Sequence, residues 1–242
     1  MSIAQNFVKH GKKILAIGRN YDAHIKELGN PPNAEPWFFL KPTTSYLRNG
    51  GTVLIPEGVQ MHHEIELGVV IGKDGKDVKR EDWDQYVAGY ALGIDMTARN
   101  FQQLVKAKSL PWTSAKGFDT FCPISDFIPK ENIKDPMNLV LWIKINGEER
   151  QRGNTAEMIY DIPELIRHCS SIMTLQEGDL ILTGTPAGAL GLVVHGDKIS
   201  AGLETPEGEV LTSWDGNAAD RVGGYVFIQN AYVAGQARVL QQ

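Results

Sequence analysis

The sequence predicts a mainly β chain of α+β character, a sandwich or barrel carrying a few short helices. Three observations predict it. Short runs of β-branched and aliphatic residues recur along the chain, bounded by Gly, Pro and Asn-Gly signals. Loops separate them, where a doubly wound α/β sheet would need regular helical crossovers. The longest run, residues 62–72, alternates with a period of two.

The elements follow in chain order. Residues 13–18 read as a buried-type strand, and 22–28 have helical character until Gly29-Asn30-Pro31-Pro32 breaks it. Residues 37–40 and 52–55 are short strands. In 62–72, His63, Ile65, Leu67, Val69 and Ile71 form an apolar face, and His62, Glu64, Glu66, Gly68 and Val70 form the other. Residues 86–97 are a second long strand, one face of which carries small residues and ends at Asp95 and Thr97, as suits the wall of a crowded pocket. The pattern turns helical over 98–108. Asn146-Gly147 joins strands 139–145 and 148–152, the strongest hairpin signal in the chain. A helix with Pro163 in its first turn covers 163–173. Strands are expected at 179–182, 198–203, 208–214 and 225–229.

Composition narrows the function. The 242 residues are 42% hydrophobic and 22% charged, with a net charge of -5, which provides no basic surface for nucleic acid or anionic lipid. No apolar run is long enough to span a membrane. Cys122 and Cys169 are too few for a disulfide framework or a thiolate zinc site, so a reducing intracellular compartment, cytoplasmic or mitochondrial, is expected. The first 21 residues hold no acid and the basic Lys9, His10, Lys12, Lys13 and Arg19, a faint likeness to a transit peptide.

Several groups carry chemistry. Glu64 and Glu66 sit side by side on one strand face, and Asp95 occupies the corresponding face of the next long strand. Like charges so close repel unless a cation or a proton lies between them. Oxygen-only ligands suit Mg²⁺ or Mn²⁺ better than zinc, although His62 and His63 lie near. His24 and Glu27 share a helix face and have the parts of an oriented general base; the same spacing also describes a surface ion pair. Thr183-Gly184-Thr185-Pro186-Ala187-Gly188 offers clustered N–H groups and hydroxyls that suit either a plain turn or an anion cradle. Lys116 lies among small and apolar neighbours, where a lysine needs a partner. Arg99 and Gln102 share a helix face just beyond Asp95.

Six blocks in sequence order resemble the fumarylacetoacetate hydrolase family, in particular its short acylpyruvase and oxaloacetate decarboxylase members. They are Gly18-Arg19-Asn20-Tyr21 with His24 and Glu27; Phe39-Leu40-Lys41-Pro42; His62-His63-Glu64-Ile65-Glu66-Leu67; Asp95-Met96-Thr97-Ala98-Arg99; Leu110-Pro111-Trp112-Thr113 with Lys116; and Gly178-Asp179 with Thr183 to Gly188. The resemblance implies a β-sandwich roll of the family's C-terminal-domain type, usually a homodimer. It implies Mg²⁺ or Mn²⁺ at Glu64, Glu66 and Asp95, a catalytic Lys116 near the substrate, and His24–Glu27 as a lid dyad that activates water. Arg19, Lys41, Arg99, Gln102 and Thr185 are expected to contact the substrate. After Gly188 the chain departs from the family pattern, with Ala189-Leu190-Gly191-Leu192-Val193-Val194 where a Gly-Val-Gly-Pro type turn is usual.

The expected organisation is a single catalytic domain over 1–242, with an N-terminal arm at 1–11, a core at 13–212 and an extension without family counterpart at 213–242. The expected reaction is metal-dependent cleavage of the C3–C4 bond of 2-oxo acids through an enolate, by acylpyruvate hydrolysis or oxaloacetate decarboxylation. Oxaloacetate keto–enol tautomerisation is the leading alternative, followed by isomerisation or decarboxylation of aromatic-degradation intermediates. A non-catalytic module binding a metal or a dicarboxylate is the reading from another class.

Overall fold

A computed structural model of the chain describes residues 2–27, 29 and 34–221. Its strands, in chain order, are β1 (Ile14–Ile17), β2 (Phe38–Lys41), β3 (Tyr46–Arg48), β4 (Thr52–Ile55), β5 (Met61–His62), β6 (Ile65–Ile71), β7 (Val87–Ile94) and β8 (Thr97–Ala98). They continue with β9 (Cys122–Ile124), β10 (Ile128–Pro129), β11 (Val140–Ile145), β12 (Glu148–Asn154), β13 (Leu180–Leu182), β14 (Leu192–Val193), β15 (Lys198–Glu204) and β16 (Val210–Asp220). The described helices are α1 (Phe7–His10), α2 (Asp22–Glu27), α3 (Arg99–Ala107), α4 (Thr113–Lys116) and α5 (Ile162–Ile172). The expected strand at 225–229 lies outside the described residues.

An eight-stranded sheet runs β2-β1-β13-β6-β7-β9-β3, with β10 also on β7; a five-stranded sheet runs β12-β11-β15-β16-β4. They pack face to face. Leu15, Leu67, Val69 and Ile71 of the first meet Leu141, Ile143, Ile199, Leu203 and Trp214 of the second in one apolar cluster. This is the mainly β sandwich the alternating pattern predicts. Yet β6 is buried on both faces over its whole length. Its second face, with Val70, packs into another cluster together with Ile14, Ala16, Leu180 and Leu182, and Ala4 and Phe7 cover that cluster. Residues 4–10, expected as an arm, are therefore a 3₁₀ turn and α1 laid on the sheet. β1 follows as the second strand of the sheet, between β2 and β13, while Lys9, His10 and Lys12 stay exposed.

The single strand expected over 62–72 is broken. Residues 63–64 leave the ladder, and β5 joins β8 and β14 in a separate three-stranded sheet. The second long strand breaks in the same place, between β7 and β8. Because Ile65 pairs with Ile94, the two breaks face each other, and Asp95 N–H donates to the Glu64 carbonyl at 2.7 Å. The paired interruption puts two acids at the end of the β6–β7 ladder.

Candidate active site

Glu64, Glu66 and Asp95 each present a carboxylate oxygen, and these atoms lie within 4.8 Å of one another. All three residues are buried, at 7%, 1% and 1% exposure, so neither glutamate lies on a solvent face. Charges this deep need partners. Glu64 accepts from Arg99 Nη2 at 2.6 Å and from Lys116 Nζ at 2.7 Å. Asp95 accepts from Lys41 Nζ at 2.6 Å and from Lys116 Nζ at 2.5 Å. Glu66 has no ionic partner among the described residues; it accepts the Gly184 N–H at 2.7 Å.

The protonation states follow. Burial raises the Glu66 carboxyl well above its usual range, and the charges of Asp95 and Glu64 push it further. Burial also disfavours Glu64 as an anion, but Lys116 and Arg99 overcome this and hold its carboxyl far below the ordinary value. For Lys116, burial opposes the charged form while Asp95 and Glu64 more than compensate, so its ammonium persists to higher pH than usual. Glu66 is the group whose charge is left uncompensated.

Glu64 and Glu66 form part of the wall of a cavity of about 180 Å³, with Asp95 behind them. Around it lie His24, Arg19, Arg99, Gln102, Thr185 and Lys116, so most of the expected site residues meet in one place. His24 Nδ1 lies 3.0 Å from Glu27 Oε2, and the same carboxylate accepts the Gly188 N–H at 3.2 Å. His24 is therefore buried, at 5% exposure, while Glu27, an exposed residue, tethers the pair to the 183–188 loop. Arg19 holds a positive φ of 57° and lies over the Trp37 ring. Gln102 Oε1 accepts from Arg99 Nη1 at 2.5 Å.

One expectation needs correction, and one of two open readings closes. Lys41 is not part of the cavity wall: it is 1% exposed, and its ammonium is committed to Asp95 and the Met96 carbonyl behind the cluster. The 183–188 loop is no open anion cradle either. Its Gly184 N–H serves Glu66, and the Thr183 and Thr185 hydroxyls donate to the Leu67 and Ile65 carbonyls. Gly184 adopts φ +95°, and a Cβ there would come 2.8 Å from Asn20 Cβ, so the turn that aims this N–H requires glycine.

The two histidines lie outside the acid cluster. His63 Nδ1 is 2.9 Å from Gln151 Oε1, and burial lowers its pKa. His62 is lowered to about 4, by burial and then by Arg99. Gln151 itself is a residue the sequence reading missed. Its amide oxygen also accepts the Ile65 N–H, while its nitrogen donates to Thr185 Oγ1 and the Pro186 carbonyl. It thereby ties the break before Glu64 to the loop after β13. No sequence signal marks it, because β12 is polar along its length and Gln151 is its one buried residue. The aromatic wall of Trp37, Phe39 and Trp112 was also missed, although Trp37 and Phe39 have the i, i+2 spacing of one strand face.

Residues 13–212 match the family described as fumarylacetoacetate (FAA) hydrolase C-terminal. The chain belongs to the fumarylacetoacetate hydrolase family. Within that family it is similar to the mitochondrial oxaloacetate decarboxylase of Dictyostelium discoideum, at 56% identity over 199 residues, which cover 81% of this chain and 91% of the relative. It is similar to the mitochondrial oxaloacetate tautomerase FAHD1 of Arabidopsis thaliana, at 55% identity over 203 residues, 84% of this chain and 91% of the relative. Among solved structures it resembles the fumarylpyruvate hydrolase of Pseudomonas aeruginosa in complex with Mn²⁺ and pyruvate. That match has a TM-score of 0.79 and 31% identity, over 87% of this chain and 90% of the other.

Proposed function

We propose that the chain is a divalent-metal-dependent enzyme of short 2-oxo acids, which cleaves the C3–C4 bond of oxaloacetate and of acylpyruvates to release pyruvate. One observation carries the reading: Glu64 and Glu66 of the acid cluster, Lys116, and His24 with Glu27 at its Nδ1 converge on one cavity. The donor set fits Mg²⁺ or Mn²⁺, being all oxygen, buried and short of one positive partner at Glu66. Glu64, Glu66 and Asp95 would hold the ion, which when bound supplies a Lewis acid for the 2-oxo group.

The chain's own residues supply the rest. Arg99 Nε is a buried donor without a hydrogen-bond partner among the described residues, and it is the group assigned to the substrate's 1-carboxylate. Arg19 and Lys106 add positive charge to the cavity wall, which suits the second carboxylate of oxaloacetate. Lys116 favours negative charge developing on the 2-oxo oxygen, an interaction that strengthens as the bond breaks. With Nδ1 engaged by Glu27, His24 Nε2 takes the proton from the water that attacks an acyl carbonyl. For oxaloacetate no water attacks. Carbon dioxide departs, the bonding pair stays on the C3–C2–O unit, and a proton is delivered to C3.

A second reading is oxaloacetate keto–enol interconversion, which needs only a proton moved between C3 and the 2-oxo oxygen. The names of the relatives from Arabidopsis and mammals favour it. The proposal also takes the working form to be a homodimer. The mitochondrial names of the relatives support a mitochondrial rather than a cytoplasmic setting.

The test measures pyruvate released from acetylpyruvate and from oxaloacetate, with Mg²⁺ and with EDTA, against a metal-only blank, while the enol absorbance of oxaloacetate is followed. Mg²⁺-dependent release is expected. Faster enol decay without release would move the assignment to tautomerisation, and neither signal would sink both readings.

A further inference from the structure

The cavity has a polar half that the 2-oxo acid uses and an aromatic half that oxaloacetate does not. Trp37 and Trp112 meet edge to face with centroids 4.9 Å apart, Phe39 lies 5.4 Å from Trp112, and Trp37 lies 6.2 Å from Phe39. All three rings face the cavity and all three are half-buried. The group is anchored at both ends by cations: Lys116 Nζ lies 5.1 Å from the Phe39 centroid and the Arg19 guanidinium 5.8 Å from that of Trp37. The wall thus starts beside the lysine at the acid cluster and leads away from it.

The sequence pays structurally to keep this wall. Trp37 is seated on Gly18, where a Cβ would come 2.1 Å from the indole, and the Gly18 N–H donates to the Trp37 carbonyl at 3.1 Å. Any side chain at position 18 would push the ring away. Every carbon of oxaloacetate but C3 bears oxygen, so that substrate leaves three half-exposed rings without a partner. A flat ring on the acyl carbon of an acylpyruvate would fill the gap, stacking on or meeting the edges of these rings.

We propose that Trp37, Phe39 and Trp112 form an acyl-tail subsite that selects aroylpyruvates, 2,4-dioxo acids with an aromatic ring on C4. The inference rests on the 2-oxo acid reading above. In the reaction, water gives a proton to His24 and its hydroxyl adds to C4. The C3–C4 bond then breaks with its electron pair on the pyruvate fragment. His24 returns its proton to C3, and the aromatic acid loses a proton to solvent. The products are pyruvate and an arenecarboxylate, with no redox partner required.

The experiment compares kcat/KM for benzoylpyruvate, its saturated analogue cyclohexanecarbonylpyruvate and acetylpyruvate on the Mg²⁺-loaded protein, with oxaloacetate turnover alongside. A preference of about tenfold for the aromatic tail over both aliphatic ones is expected. Trp112→Leu and Trp37→Leu should each bring that ratio close to one, and Trp112→Phe should restore most of it. The ratio is read within each variant, so partial loss of folded protein does not alter it. Equal kcat/KM for the three acylpyruvates, with oxaloacetate turned over, would overturn the subsite and leave the 2-oxo acid reading standing. Persistence of the preference in both leucine variants would overturn the subsite in the same way. Failure to turn over any 2-oxo acid would overturn the reading itself, and the inference with it.

Discussion

Glu27 binds two separate parts of the site at once: its carboxylate lies 3.0 Å from His24 Nδ1 and also accepts the Gly188 N–H. The base is therefore aligned from the same loop that supplies the Gly184 N–H to Glu66. Glu27→Gln keeps an acceptor for Gly188 but removes the carboxylate that orients the imidazole. Acetylpyruvate hydrolysis should fall by about 10² to 10⁴ in kcat, as for loss of a general base, and His24→Ala should do the same. Oxaloacetate decarboxylation, which needs no activated water, should fall much less. Steady-state pyruvate release from both substrates checks the contrast. Equal losses on both would remove His24 from the water-activating role.

Lys41 acts through Asp95 and not on the substrate. Both side chains are almost wholly buried, so Lys41→Met leaves Asp95 with Lys116 as its one remaining ionic partner among the described residues, in a dry site. Affinity for Mn²⁺ should drop about 10- to 100-fold, the usual effect of losing an orienting partner behind a ligand. Calorimetric titration of the EDTA-treated protein reads this directly. An unchanged affinity would show that Asp95 is held well enough without it.

Glu66 gives the metal-free protein an unusual pH response. Its folded pKa is raised, so its favourable contribution is complete below the unfolded value of 4.5 and declines as pH rises towards the folded pKa. His62 and His63 act in the opposite sense. Their folded pKa values are lowered, so their contribution grows as pH rises to the unfolded value of 6.5 and is then constant. Cys122 and Cys169, raised to about 12 by burial, enter only above their ordinary value of 9.0. Above about pH 6.5 the two histidines no longer change their contribution and below about pH 9 the two cysteines do not, so among these groups a fall of stability in EDTA over that interval belongs to Glu66, with a slope of at most about 1.4 kcal/mol per pH unit. Saturating Mg²⁺ should flatten or reverse that slope. Melting temperatures across this range, with and without Mg²⁺, decide it; a flat profile in EDTA would place the uncompensated charge elsewhere.

Gln151 makes four hydrogen bonds from a side chain that is 2% exposed. Gln151→Met fills the space yet leaves the Ile65 N–H and the Pro186 carbonyl without their partner. Unsatisfied buried groups cost about 1–3 kcal/mol each, so a loss of about 2–5 kcal/mol is expected. Urea denaturation in EDTA measures it. Gln151→Glu provides a second probe, since it keeps the acceptor to Ile65 while losing the donor to Thr185.

Much of this arrangement was readable from local pattern. The hairpin at Asn146-Gly147, the helix containing Pro163 and the strand Thr52–Ile55 follow from turn chemistry and periodicity, which neighbouring residues determine. The acids at 64, 66 and 95 were legible because alternation assigned them to faces. What escaped depends on distant chain. The β3–β9 pairing joins three-residue strands in parallel, too short for any period to register. The interruption at 63–64 is held by Gln151, 86 residues away from Ile65, and nothing in the run 62–72 announces it. Lys41 was misplaced for a related reason, since a lysine beside a pocket and a lysine behind it look the same in sequence.

The position of β13 bears on how the chain is made. This strand lies between β1 and β6 and pairs with both. Until residues 180–182 have left the ribosome, the two earlier strands have no neighbour on their facing sides, and their apolar edges stand open. The glycine that caps Glu66 arrives in the same segment, two residues later. The two parts of the sheet, β2-β1 and β6-β7-β9-β3, therefore wait unjoined for a late insertion, a circumstance that favours assistance by chaperones over folding piece by piece during synthesis.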